Sequence, residues 1–232
     1  MKKLLPAILL FLAFQNCEEV HEVPLTEDES EIIGFFNVIA LGFKYSEADP
    51  LTRKWTTPIQ VYIHGDPSQE LLDEFDAIVA EIEGLATDGL DISIVTNEST
   101  ANYHLYFTGH DVFAEEFPVV ASLVEEDWGL YVVDWNNDED IFWGAMYVDV
   151  VRNTDLTLQR HWLREEFTQS LGLGNDSELY PNSIFRQSWS NSTAFTDLDR
   201  DLIRLLYHPN MTSGLNESEA TQVLGDILFQ ER

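Results

Sequence analysis

REEFTQSLGLGND, residues 164–176, closes a long helical pattern, DLTLQRHWLREEFTQSLGL over 155–173, with Asp155 as its cap and Gly172 or Gly174 near its end. Residues four apart on a helix share a face, with side chains about 5–6 Å apart, so His161, Glu165 and Gln169 form one polar stripe. Glu166 sits one residue round from that stripe, and Leu158, Trp162, Leu163, Phe167 and Leu171 fill other positions. Two histidines at this spacing would chelate zinc, but a carboxylate and an amide stand there instead. Zinc prefers imidazole and thiolate, whereas carboxylate and amide oxygens suit harder ions. No zinc and no organic cofactor is therefore expected at this stripe, and a harder divalent cation is the alternative.

The segments before this helix alternate in period. EIIGFFNVIALGF (31–43) predicts a helix, TPIQVYIHG (57–65) a strand, and PSQELLDEFDAIVAEIEGLA (67–86) an amphipathic helix with Leu71, Leu72, Phe75, Ile78, Val79 and Ile82 on one stripe. DISIVT (91–96), NYHLYFTG (102–109), GLYVVDW (129–135) and IFWGAMYVDVV (141–151) predict strands, the last two joined by the polar NNDED loop. Helices over about 197–207 and 217–230 complete the chain. The order predicts one α+β domain over 32–232 with a mixed sheet, a long motif helix and C-terminal helices.

Composition bounds the partners. With 42 Asp and Glu against 12 Lys and Arg, the net charge is −30, which argues against nucleic acid and favours cations or cationic surfaces. MKKLLPAILLFLAFQNC carries two lysines, a short apolar run and the single cysteine, the layout of a secretion signal over 1–17. A lone cysteine forms no disulfide within the chain, and Cys17 stands where bacterial lipoproteins carry their lipid-modified residue. The expectation is an exported envelope lipoprotein, at the outer membrane or cell surface, held to the membrane by that anchor. Residues 18–31, CEEVHEVPLTEDESE with its cysteine removed, lack a periodic apolar face and read as an acidic tether.

Other features carry weaker signals. Asp134, Asn136, Asp138 and Asp140 have the alternate spacing that opens a calcium loop, but Glu139 occupies the glycine position and Ala145 the closing Glu. Trp128, Trp135 and Trp143 are a ligand platform if exposed and core otherwise. His64, His104, His110 and His208 show no chelating spacing in sequence.

The run EEFTQSLGLGNDSELYPNSIF, with TDLDRDLIRLLYHP and a further helix, is similar to the bacterial family designated domain of unknown function 2927. Its members carry E-E-x-T-Q-x-L-G-L-x-N-D, then a short S-I-F segment, then L-x-x-x-D-x-x-L-L-x-x-L-Y-x-P. Glu165, Glu166, Gln169, Gly172, Asn175, Asp176, Ser183, Ile184 and Phe185 match that pattern, while Phe167, Ser170 and Leu215 replace the usual Leu, Ala and Met. The resemblance is specific over 164–209 and diffuse over the strands before it. The motif also resembles the H-E-x-x-H-x-x-G helix of zincin metalloproteases, with Glu165 and Gln169 in place of both histidines. This implies a zincin-like fold with a twisted sheet ahead of the motif helix, and puts Glu166 at the general-base position.

Two functional classes follow. One is a non-proteolytic binding or structural module for an envelope ligand or protein, in which His161, Glu165, Gln169, Asn175, Asp176 and Ser183 form a hydrogen-bonded knot or line a pocket. The other is a hydrolase working through Glu166 with Glu165, Gln169 and Asp176, with a harder metal or with carboxylates alone.

Overall fold

The computed structural model describes residues 24–232; the signal segment, Cys17 and the start of the acidic stretch lie outside the described residues. Helix α1 (Glu27–Ala40) leads through the short strand β1 (Lys54–Trp55) to β2 (Ile59–Gly65) and helix α2 (Gln69–Leu85). Strands β3 (Ile92–Ile94) and β4 (Tyr103–Thr108), short helices α3 (His110–Glu116) and α4 (Ala121–Val124), and the hairpin of β5 (Gly129–Trp135) and β6 (Asp140–Asp149) follow. Helices α5 (Leu156–Gln169), α6 (Asp197–Leu206) and α7 (Glu217–Gln230) end the chain.

The strands make one sheet in the order β1-β6-β4-β2-β3, all parallel, with β5 pairing antiparallel to β6. This is a mixed α/β domain, in keeping with the expected α+β class. A largely parallel sheet needs cover on both faces. Alternation along β4 sends Tyr103, Leu105 and Phe107 into the main core with α2 and α5, and Tyr106 into a second core with Phe113, Val124, Leu130, Ala145 and Tyr147. The cover of that second face, α3 and α4, escapes the sequence pattern because the segment is short and Pro118 interrupts it.

Two expectations are corrected. Helix α1 starts at Glu27, so the last residues of the expected 18–31 tether are its first turn. Thr26 Oγ1 accepts from Glu29 N at 3.2 Å and the Glu29 carboxylate accepts from Thr26 N at 2.7 Å, so the acids that suggest a solvated tether serve a capping box and favour the helix dipole. Helix α5 stops at Gln169 rather than running to Leu173. Gly172 has φ +115°, and a Cβ there would lie 1.9 Å from the Arg53 carbonyl oxygen, so only glycine lets the chain turn this close to β1. The NNDED loop is a tight turn closed by Asn136, whose Oδ1 accepts from Asp138 N (2.8 Å) and Asp140 N (3.1 Å). Its Glu139, at φ +63°, pairs with the buried Arg53 at 2.5 Å.

The position of α5 is fixed from several sides. Asp155 Oδ1 caps its start by accepting from Thr157 N at 2.8 Å. The buried Arg164 guanidinium reaches Glu81 (2.8 Å) and Glu74 (2.9 Å) on α2. At the far end, Trp55 Nε1 donates to Ser170 O (3.2 Å) and Tyr207 OH to Leu171 O (2.7 Å), supplying partners to carbonyls that have none within the helix.

Candidate functional site

A cleft of about 260 Å³ opens between α5, the start of β5, the Lys44–Tyr45 and Asp127–Trp128 loops, and the 186–190 segment. Helix spacing brings His161, Glu165, Glu166 and Gln169 to its wall, and the turn after Gly172 returns Asp176 to the same place. Close packing of β5 on α5 depends on Gly129, where a Cβ would come within 2.9 Å of Trp162 and 3.0 Å of Glu166 Cγ.

Most of the motif is internally bonded. His161 Nδ1 lies 2.8 Å from the Ser192 carbonyl, to which it donates, and Nε2 lies 3.1 Å from Glu165 Oε2. Burial pulls the His161 pKa down, but the hydrogen bond and charge of Glu165 outweigh it and the net shift is upward. Burial pushes the Glu165 pKa up, against the opposing effect of His161. Gln169 Nε2 donates to Asp176 Oδ1 at 2.5 Å, and the Lys44 ammonium meets Asp176 Oδ2 at 2.5 Å. Burial works against the Lys44 charge, yet the contact with Asp176 raises its pKa overall.

Glu166 is different. Its carboxyl is pushed well above the ordinary range by burial and then by the charges of Glu165, Asp176 and Asp127, with only Lys44 opposing, and no hydrogen bond among the described residues holds it. Asp127 is also pushed up, first by burial. The cleft therefore offers a carboxyl that holds its proton more tightly than usual and has no hydrogen-bond partner among the described residues, beside groups that are already bonded. Around it stand aromatic rings open to solvent: Trp128 is 38% exposed, Tyr45 55% and Trp189 68%.

Two expected site residues lie elsewhere. Asn175 turns away to the end of α1, where Nδ2 donates to Leu41 O (3.0 Å) and Gly42 O (3.3 Å). Ser183 donates to the buried Asp199 at 2.5 Å, and Asp199 also accepts from Ile184 N (3.1 Å) and Thr196 N (2.8 Å), tying the S-I-F segment to the start of α6. Neither residue lines the cleft. Sequence reading missed Lys44, Tyr45, Asp127 and Trp189, which loops bring in from outside the motif; the sparsity of lysine is the one signal, since Lys44 and Lys54 are the only lysines among the described residues. Of the tryptophans, Trp128 lines the cleft, whereas Trp135 stacks on Phe43 with Arg53 4.4 Å above its ring.

The family described as protein of unknown function (DUF2927) matches residues 29–226. The chain belongs to this family. The match runs from α1 into α7, so every residue of the cleft lies within the DUF2927 domain, and the likeness read from 164–209 extends to nearly all the described chain. No curated protein matches the sequence.

Proposed function

We propose that the protein is an exported, lipid-anchored envelope protein that binds an extended ligand, a peptide segment in the first instance, in the α5 cleft of a zincin-like frame that does not use zinc. The observation that carries this reading is the pairing of the residues at the metal-ligand positions. Glu165 is engaged by His161, and Asp176 by Gln169 and Lys44, so internal cations and an amide fill the roles a metal would need. One carboxylate and one amide are also poor zinc donors, and the Asn175 side chain points to α1. Motif chemistry of this kind supports a frame held by hydrogen bonds.

The cleft itself remains open. The outer edge of β5 pairs with no strand among the described residues, and its first residues, Gly129 to Tyr131, line the cleft. A free strand edge next to exposed aromatic rings suits an extended backbone, which gains main-chain hydrogen bonds from the edge and side-chain contacts from the rings. Among the described residues no helix is long and apolar enough to cross a membrane, so attachment in this reading falls to the lipid on Cys17.

One observation favours a second reading, hydrolysis: Glu166 faces the cleft with no partner among the described residues and with a pKa raised by burial, the character of a general acid. Titrating a peptide library against the tryptophan fluorescence of Trp128 and Trp189, with hydrogen exchange and product analysis, separates the two. Binding that protects β5 amides, weakens in Trp128→Ala and releases no product supports recognition. Product formation lost in Glu166→Gln with binding retained establishes the hydrolase. Failure of every peptide to protect β5 refutes the peptide-binding reading.

A further inference from the structure

On the other face of the sheet, away from the cleft, three potential ligands converge that are remote in sequence. His64 on β2 and His104 on β4 belong to neighbouring parallel strands whose register pairs Tyr62 with His104 and His64 with Tyr106. The two imidazoles are thus diagonal neighbours on one face, with His64 Nε2 3.0 Å from His104 Nδ1. The turn between β3 and β4 adds Glu98, whose Oε1 lies 4.0 Å from His64 Nε2, and the three ligand atoms all lie within 4.8 Å of one another.

We propose that His64, His104 and Glu98 form a binding site for one divalent transition-metal ion of the zinc type. Two nitrogens bound to a tetrahedral zinc at about 2.0–2.1 Å stand about 3.3 Å apart, so the observed pair needs to open by only a few tenths of an ångström. Two imidazoles and a carboxylate are a donor set that zinc accepts, with the fourth position left to water. The Glu98 side chain is 60% exposed, free to close the remaining distance, whereas the His64 side chain is only 19% exposed and held in place. Tyr106 stacks on the His64 ring at 4.0 Å with an interplanar angle of 1°, and Tyr62 meets the same ring edge-on at 4.8 Å. These contacts fix one ligand before any ion arrives, which lowers the ordering cost of binding. Burial, with the neighbouring imidazole acting on His64, lowers the pKa of both histidines, against the charges of Glu98 and Glu116, and neutral imidazole is the ligating form.

The competing account is a plain hydrogen bond between the two rings, which would leave Glu98 without a role and give no metal affinity. An ion would instead clamp the turn carrying Glu98 to strands β2 and β4. It would also stabilise the folded state by mass action.

Zinc titration by calorimetry on the full chain, purified in detergent without a histidine tag, tests the site. The expected result is one ion per chain, a rise in thermal midpoint, and affinity reduced at least tenfold in His64→Gln and in His104→Gln, less in Glu98→Gln, and not in His161→Gln. X-ray absorption of the wild-type zinc complex provides a readout that does not depend on the variants folding: two imidazoles and oxygen ligands are expected. Absence of saturable zinc binding, binding that survives the His64→Gln/His104→Gln double variant, or a shell without imidazole pairs would overturn the proposal.

Discussion

Replacing Glu166 by Gln tests the electrostatics of the cleft through stability rather than activity. Gln copies the shape and neutrality of a protonated carboxyl, so well below pH 4.5, where Glu166 is protonated in both states, the variant and wild type should be nearly equal in stability. The sign follows from linkage. The folded-state pKa of Glu166 lies well above its ordinary value of 4.5, so between these two values the native state binds a proton that the unfolded chain has released. Stability of the wild type therefore falls as pH rises through that window, and one retained proton sets the slope at about 1.4 kcal/mol per pH unit. Glu165, Asp127 and His161 are shifted upward too and act in the same direction, while the lowered His64 and His104 oppose them near pH 6. Taking the difference between Glu166→Gln and wild type removes most of these shared contributions. Urea unfolding at half-unit steps from pH 5 to 7 should show the variant gaining on the wild type by up to about 1.4 kcal/mol per unit. A difference that stays flat across the range would mean that Glu166 ionises normally in the folded protein, and the upward shift assigned to its carboxyl would be wrong.

Gln169→Ala should cost about 1–3 kcal/mol, because Asp176 loses a buried donor, measured as a shift in denaturation midpoint against the exposed control Gln222→Ala. Zinc affinity should appear in a Glu165→His/Gln169→His/Lys44→Met variant, with Asp176 freed as third ligand, when titrated against a His64→Gln/His104→Gln background; no gain would show that the stripe does not have chelating geometry. Cys17→Ser should move the protein from the detergent phase to the aqueous phase on partitioning, and equal partitioning of both forms would remove the lipid anchor from the proposal.

Much of the architecture was legible in the chain itself, because periodicity is a local property: β5 and α7 fall where alternation and helical spacing predict them, and β2, α2, β4, β6 and α6 do so within about two residues. The polar stripe of α5 was equally legible, since i, i+4 spacing brings His161 against Glu165 whatever surrounds the helix. What local pattern could not supply was the partner of each polar group. Asn175 and Asp176 are adjacent in sequence, yet one caps α1 and the other closes the cleft, a division made by the turn at Gly172 and its approach to Arg53. Lys44 meets Asp176 across 132 positions, and His64 meets His104 across 40. Those encounters depend on strand register and on which loops share an end of the sheet, which long-range packing decides. The unpartnered state of Glu166 has the same origin: its type and helix position were visible in EEFTQ, but only the enclosing loops and carboxylates push its pKa upward.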